Sequence, residues 1–256
     1  MKKLLIISGV LITLFGKGFT TMAQSFVPDE GESRMTIKSV VQENAYAFDL
    51  KDVKLLNSPF KSSMENDVKY LLELKPDRFL AHFRTHAGLE AKDSVYGGWE
   101  SSGLAGHSLG HYLSACAMAY AATGNPEFLK RANYIVSELA LCQQKRGTGY
   151  IGAIPNEDSI FGEVAKGNIK SGGFDLNGGW SPWYTVHKIM AGLLDVYIYC
   201  HNKEALEVQK KFANWAGNTI KNLDEQQMQK MLICEYGGMN EVLANTYAIT
   251  GNKKYL

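Results

Sequence analysis

The sequence predicts an all-α chain built from repeated helical hairpins, and three copies of one corner motif carry that prediction. The copies are Tyr120 to Leu129, Tyr197 to Leu206 and Tyr247 to Leu256. In each, Tyr stands five residues before an Asn (Asn125, Asn202, Asn252) and Leu stands four residues after it. Gly-Asn after an apolar run, or His201-Asn202 in the second copy, reads as a left-handed helix end followed at once by a new helix. Such hairpins bury their apolar faces only against neighbours, so they stack into a solenoid or close into a toroid. The third copy stops as its second helix should begin, so the chain is expected to be the front part of a longer domain.

The elements follow in order. Tyr46 to Val53 alternates apolar and charged residues, which predicts one short β-strand near residues 46–53. Helical periodicity begins near Lys61 and runs through Leu71 and Leu72. Pro76-Asp77-Arg78 then opens a second helix with Phe79, Leu80 and Phe83 facing inward. Gly103 to Ala122 is apolar nearly all round, as an inner helix enclosed on all sides would be. Pro126 to Lys145 is amphipathic and reads as an outer helix. The same inner-then-outer pair returns at Pro182–Tyr199 and Lys203–Ile220, and a third inner helix spans about Gly238–Ile249. Between the first two pairs lies a Gly-rich segment, Gly147–Trp180, expected to be a long and functional loop.

Residues 1–23 read as a secretory signal peptide: Lys2-Lys3, an apolar core from Leu4 to Phe15, and a cleavage site ending at Ala23. A periplasmic or secreted protein is therefore expected, and no membrane contact once the signal is removed. Residues 24–46 are polar and aperiodic, which predicts a flexible leader, and residues 47–256 form the domain. Removing Lys2, Lys3 and Lys17 from the 27 basic residues leaves 24 against 26 acidic ones, a net charge of −2. No basic face for nucleic acid is implied. Cys116, Cys142, Cys200 and Cys234 have no metal-knuckle spacing and are expected to be buried free thiols.

Polar and ring-bearing residues collect near the starts of the inner helices. Aligned on the repeat Asn, His111 lies fourteen residues upstream in the first copy and His187 fifteen in the second. Glu235, Tyr236 and Asn240 occupy the corresponding region of the third. Trp99, Glu100, Trp180, Trp183 and Tyr184 stand at or just before these helix starts. A toroid with this pattern has a polar-mouthed cavity closed below by apolar packing, and flat rings beside hydrogen-bonding groups suit a sugar. The candidate substrate-binding residues are His187, His111, His107, Trp99, Glu100, Trp183 and Glu235. His107 and His111 also have the four-residue spacing of a two-histidine metal site, but no Glu lies between them and no third ligand is evident. For each candidate a packing or helix-capping role stays open, and no carboxylate pair is assignable from spacing.

Several blocks together resemble the domain shared by glycoside hydrolase families 127 and 146, the β-L-arabinofuranosidase type. They are Gly97-Gly98-Trp99-Glu100; Gly106-His107 with Gly110-His111-Tyr112-Leu113; Lys75-Pro76-Asp77-Arg78 with Phe83-Arg84; Trp183-Tyr184-Thr185-Val186-His187-Lys188; and Gly237-Gly238-Met239-Asn240-Glu241. The matches run in order from about Phe48 to Leu256. The resemblance implies an (α/α)6 barrel of which this chain is the N-terminal part. It also implies a retaining mechanism with a zinc-bound cysteine thiolate as nucleophile and a glutamate acid/base. These groups and the zinc ligands are expected in the later half of the barrel, beyond Leu256, so no catalytic residue and no metal ligand is assigned here. The substrate-holding role carries over to His187 and, beside it, to His111, His107, Trp99 and Glu100. Members often carry Gln early in the first helix, where this chain has Met64.

The expected function is thus that of an exported glycoside hydrolase releasing terminal arabinofuranose-type sugars from oligosaccharides or polysaccharides of plant origin, with this chain alone inactive. Two other readings stay open: a non-catalytic helical-repeat carbohydrate-binding or scaffold protein, and a two-carboxylate (α/α)-barrel hydrolase or lyase.

Overall fold

The computed structural model describes residues 35–37, 40–41 and 47–256. The expected signal peptide, and nearly all of the expected leader, lie outside the described residues. Within that leader segment, Thr36 is anchored: its N–H donates to Ala248 O at 2.8 Å and its hydroxyl to Ile249 O at 2.7 Å.

Nine α-helices dominate the described residues: α1 (Pro59–Glu73), α2 (Pro76–His86), α3 (His107–Thr123), α4 (Pro126–Arg146), α5 (Glu157–Ala165), α6 (Pro182–Cys200), α7 (Lys203–Ile220), α8 (Glu225–Met231) and α9 (Met239–Thr250). Helices α1, α3, α6 and α9 pack side by side as an inner layer, and α2, α4 and α7 form an outer layer behind them. This is the arc of an (α/α)6 barrel. Among the described residues no helix is long and apolar enough to cross a membrane.

The repeat motif builds each corner in the same way. Gly124, His201 and Gly251 end α3, α6 and α9 at φ of 71°, 57° and 69°. The side chains of Asn125 and Asn202 then accept from Glu127 N and Ala205 N at 3.0 Å, capping α4 and α7. Asn252 does the same for a 3-10 turn, Lys253–Tyr255. Each Asn satisfies a backbone donor that the first helical turn leaves unpaired, so a reversal is completed within two residues.

Helix α1 ends differently. Leu74 is extended and gives no left-handed cap. Instead Arg131 of α4 donates to the carbonyls of Leu71, Leu72 and Leu74 at 3.0, 2.8 and 2.7 Å. A cation at a helix C-terminus both pairs the orphan carbonyls and meets the negative end of the dipole. The segment after α2 is held to α4 as well, by Glu138, which takes an ion pair from Arg84 and another from Lys92 at 2.8 Å.

Two expectations are corrected. The strand near residues 46–53 is not formed among the described residues: 47–49 are irregular and Leu50–Asp52 is a 3-10 turn. The Asp49 side chain accepts from Lys51 N and closes the turn, and no neighbouring strand lies there to pair with an extended segment. The segment 147–180 is not a structureless loop. Ile160, Phe161 and Val164 bury one face of α5, with Phe161 5.0 Å from Trp183 and 4.8 Å from Trp215. After α5 come three short antiparallel strands in the order β1 (Ser171–Gly172), β2 (Asp175–Leu176) and β3 (Gly179–Trp180).

Candidate functional site

The site lies where α3, α6 and α9 begin. Helices α3 and α6 approach so closely that a Cβ on Gly110 would fall 2.2 Å from the Lys188 carbonyl carbon. That contact brings His111 and His187, one on each helix, to a common rim. Between them stands Tyr184, whose hydroxyl is 3.3 Å from His111 Nε2. Lys188 Nζ sits 4.9 Å over the Tyr184 ring.

His187 is only 7% exposed, and its Nδ1 has no hydrogen-bond partner. The backbone of Gly237 and Gly238 lies across its ring. A Cβ on Gly237 would come 2.8 Å from Nδ1, and one on Gly238 would come 2.7 Å from Nε2. Gly237 also adopts φ of 60°, so this cover is built for glycine on two grounds. Burial first, then the charges of Lys188 and His111, lower the His187 pKa to about 4, with Glu235 opposing. The ring is therefore neutral at physiological pH. The His111 pKa is lowered too, by burial and then by Lys188 and His107. Glu235 is exposed; its carboxylate accepts from Gly237 N at 2.7 Å and so fixes the turn over His187.

Glu100 is 5% exposed. Its two oxygens accept from Gly106 N at 2.9 Å and Ser108 N at 3.2 Å, and His107 Nδ1 lies 3.2 Å away. Burial disfavours its charge, but the hydrogen bonds from His107, Ser108 and Gly106 outweigh it, and the pKa is lowered. Glu100 thus caps α3 in place of a helix N-cap side chain, because Gly106 has none to offer. His107 shares this buried corner, with Nδ1 also 2.5 Å from Leu104 O. Its ring meets His111 edge-on at 6.1 Å. The two imidazoles do not converge on a point, and among the described residues no group of three His, Cys, Asp or Glu could hold a metal ion.

Of the seven candidates, His187, His111 and Glu235 meet at the rim; His107 and Glu100 stand behind it as support. Trp99 is 62% exposed and tilts against His107 at 5.9 Å, at the edge of a separate cavity. Trp183 is not part of the rim. It is 4% exposed among Phe161 and Trp215, with Nε1 donating to Met231 Sδ at 3.1 Å, and it serves as a packing anchor. The inner face of α6 beyond His187 is not wholly apolar. Asp195, two turns beyond His187 on α6, takes a hydrogen bond from Ser114, and its pKa is raised to about 6 by burial, with Glu241 adding to it. An acidic residue eight positions after His187 lies on the same helix face, and that spacing was readable in the sequence.

The sequence profile of the beta-L-arabinofuranosidase, GH127 catalytic domain matches residues 52–256. The chain belongs to this family. Among solved structures, the chain is similar to a GH127 beta-L-arabinofuranosidase from Geobacillus stearothermophilus T6, with 19% identity and a TM-score of 0.49. That similarity covers 77% of this chain and 28% of the other, so the chain spans little more than a quarter of that enzyme's length. Comparison with curated proteins gives no match. For a GH127 chain the cysteines are the groups to test against zinc. All four are buried, and burial raises the thiols of Cys116, Cys142 and Cys234 to about 11 and that of Cys200 to about 12. Among the described residues none of the four belongs to a group of three His, Cys, Asp or Glu that could hold a metal ion.

Proposed function

We propose that this chain forms the sugar-holding wall of an exported GH127 glycoside hydrolase that releases terminal arabinofuranose-type units from plant oligosaccharides or polysaccharides. The observation that supports it best is the rim of His111, Tyr184 and neutral His187 in a chain of this family. The exposed His111 imidazole and the Tyr184 phenol each combine donor and acceptor capacity, which is what a ring of vicinal hydroxyls requires. The retaining displacement and its zinc-bound thiolate rest on the family resemblance alone. Export rests on the pattern of residues 1–23; N-terminal sequencing of the exported protein should begin at Gln24.

The test is sugar binding by the 256-residue chain, followed by NMR titration with methyl β-L-arabinofuranoside. His111→Ala should weaken binding about tenfold with the melting temperature unchanged, since the ring is exposed. Equal affinity in the variant, or shifts confined to residues far from α3 and α6, would reject the reading. The non-catalytic carbohydrate-binding alternative shares this rim and differs in turnover, which only the complete enzyme can report.

A further inference from the structure

Lys188 stands between the two imidazoles of the rim. It follows His187 in the chain, and its backbone lies against Gly110, the neighbour of His111: a Cβ on Gly110 would fall 2.3 Å from the Lys188 carbonyl oxygen. That seam leaves no room to slide, so Lys188 is fixed beside both rings. Its ammonium turns to Tyr184, one helical turn earlier on α6, and sits 4.9 Å from the centre of that ring. The Tyr184 hydroxyl in turn is 3.3 Å from His111 Nε2. Ammonium, phenol and imidazole thus form a chain of contacts that crosses the seam from α6 to α3.

Lys188 is half-buried, and among the described residues no carboxylate pairs with its ammonium. A partly desolvated charge without a counter-ion is costly, and the Tyr184 face is what offsets it here. The other charged groups around the two imidazoles have their own places. On α3, His107 faces His111 and is held by Glu100, whose oxygens are committed to the first turn of that helix. From the segment before α9, Glu235 acts on His187 in the sense opposite to Lys188. On α9, Glu241 Oε2 would lie 3.3 Å from a Cβ on Gly238, at the cover over His187. Asp195 is two turns further along α6 and takes its hydrogen bond from Ser114. Lys188 is the cation that acts on both rings.

We propose that Lys188 is a positioning residue of this site: its ammonium holds the Tyr184 ring so that the phenol stays aimed at His111. This rests on the reading of the previous subsection, in which that pair takes the sugar. The same charge has a second effect. Like-charge repulsion disfavours an imidazolium beside it, so both rings keep one donor and one acceptor in mildly acidic solution. A protonated ring has two donors and no acceptor, and a sugar hydroxyl that donates to it would lose its partner. Lys188 therefore acts through Tyr184, His111 and His187 rather than on the sugar itself.

The experiment follows the imidazole signals of the 256-residue chain by NMR between pH 3 and 8, without ligand, in the unmodified chain, in Lys188→Met and in Lys188→Arg. Methionine keeps an apolar stem and removes the charge; arginine keeps a cation that can stack on the Tyr184 ring. In Lys188→Met the midpoints of His111 and His187 should both rise by about half a pH unit or more, with His86 on α2 as an unmoved control. Lys188→Arg should keep both midpoints where the unmodified chain has them. Affinity for methyl β-L-arabinofuranoside should fall about threefold at pH 7.5 in Lys188→Met, the size of a lost cation–π contact, and further at pH 5.5. In Lys188→Arg it should be nearly unchanged. Midpoints that stay put in Lys188→Met, or an affinity which that variant leaves intact, overturn the proposal. So does an affinity loss that Lys188→Arg shares, since the ammonium then serves the sugar directly. The midpoints need no ligand: if they shift as expected while even the unmodified chain binds no sugar, the terminal-sugar reading falls and the hold of Lys188 on the rim stands.

Discussion

Gly110 on α3 and Gly192 on α6 are in backbone contact: a Cβ on Gly192 would lie 2.6 Å from Gly110 O. The contact sets the spacing of the inner helices and with it the separation of His111 from Tyr184. Alanine is the better helix former by about 1 kcal/mol, so propensity alone favours Gly110→Ala. Sterics win, because the obstacle is the carbonyl of Lys188 and not a side chain that can turn away. Gly110→Ala should cost about 3 kcal/mol or more in urea unfolding, at the upper end for overpacking. A loss below about 1 kcal/mol would show that the helices part easily.

Glu100 should matter for folding before it matters for ligand. It supplies the N-terminal cap of α3 from a buried position, so Glu100→Ala strands the N–H groups of Gly106 and Ser108 and should cost about 2–3 kcal/mol. Its folded pKa is lowered, so the stability its charge contributes is present above the unfolded-state pKa and is lost as pH falls through the folded one. Denaturant midpoints between pH 6 and 3 should therefore fall less steeply in Glu100→Gln than in the unmodified chain. Parallel slopes would mean that the carboxylate is not the cap.

Arg131 should be the residue that keeps α1 in place. Helix α1 buries no residue fully, and this one guanidinium reaches the carbonyls of Leu71, Leu72 and Leu74, sharing only Leu71 O with the Tyr112 hydroxyl. Arg131→Met keeps the aliphatic stem and removes the donors. Amide exchange in residues 68–74 should accelerate about tenfold or more while the α3–α6 core stays protected. Uniform acceleration across the chain would place Arg131 in global stability instead.

The corners were legible because each is a local device: an αL residue and an Asn cap act within two residues of sequence. The inner helices were legible for the same reason, and the repeat register puts His111 and His187 at comparable points near the starts of α3 and α6. What the sequence hid was long-range. The cover over His187 needs Gly237 and Gly238 brought from the start of α9, and of the two roles open to Glu100 the capping one depends on the turn that carries its oxygens to Gly106 N and Ser108 N. Trp183 carried the right motif but turns into the cluster with Phe161 and Trp215, neighbours that no spacing reveals. Helix α8 was overlooked although Asp224 and Gln227 form a capping box, a signal written in four residues. The strand near residues 46–53 failed because alternation specifies a face, and a face without a partner strand makes no ladder.

His187 and Asp195, on one face of α6, should tilt the pH profile of stability in opposite directions. His187 titrates near 4 in the fold and near 6.5 when unfolded, so the unfolded chain takes up its proton first. Its contribution is neutral above pH 6.5, and stability falls by up to about 3 kcal/mol as pH drops from 6.5 to 4. Asp195 titrates near 6 in the fold against 3.8 when unfolded, so here the folded chain holds the proton longer. Stability then falls as pH rises from 3.8 to 6, by about 1–3 kcal/mol, and the loss persists above 6. Asp195→Asn should therefore stabilise the chain at pH 7.5 and have no effect near pH 3. His187→Gln should gain stability relative to the unmodified chain only below pH 6.5. Urea titrations of the two variants at half-unit pH steps separate these limbs. A stabilisation by Asp195→Asn that is the same at pH 3 and pH 7.5 would mean that the carboxyl ionises normally beside Ser114 and Glu241.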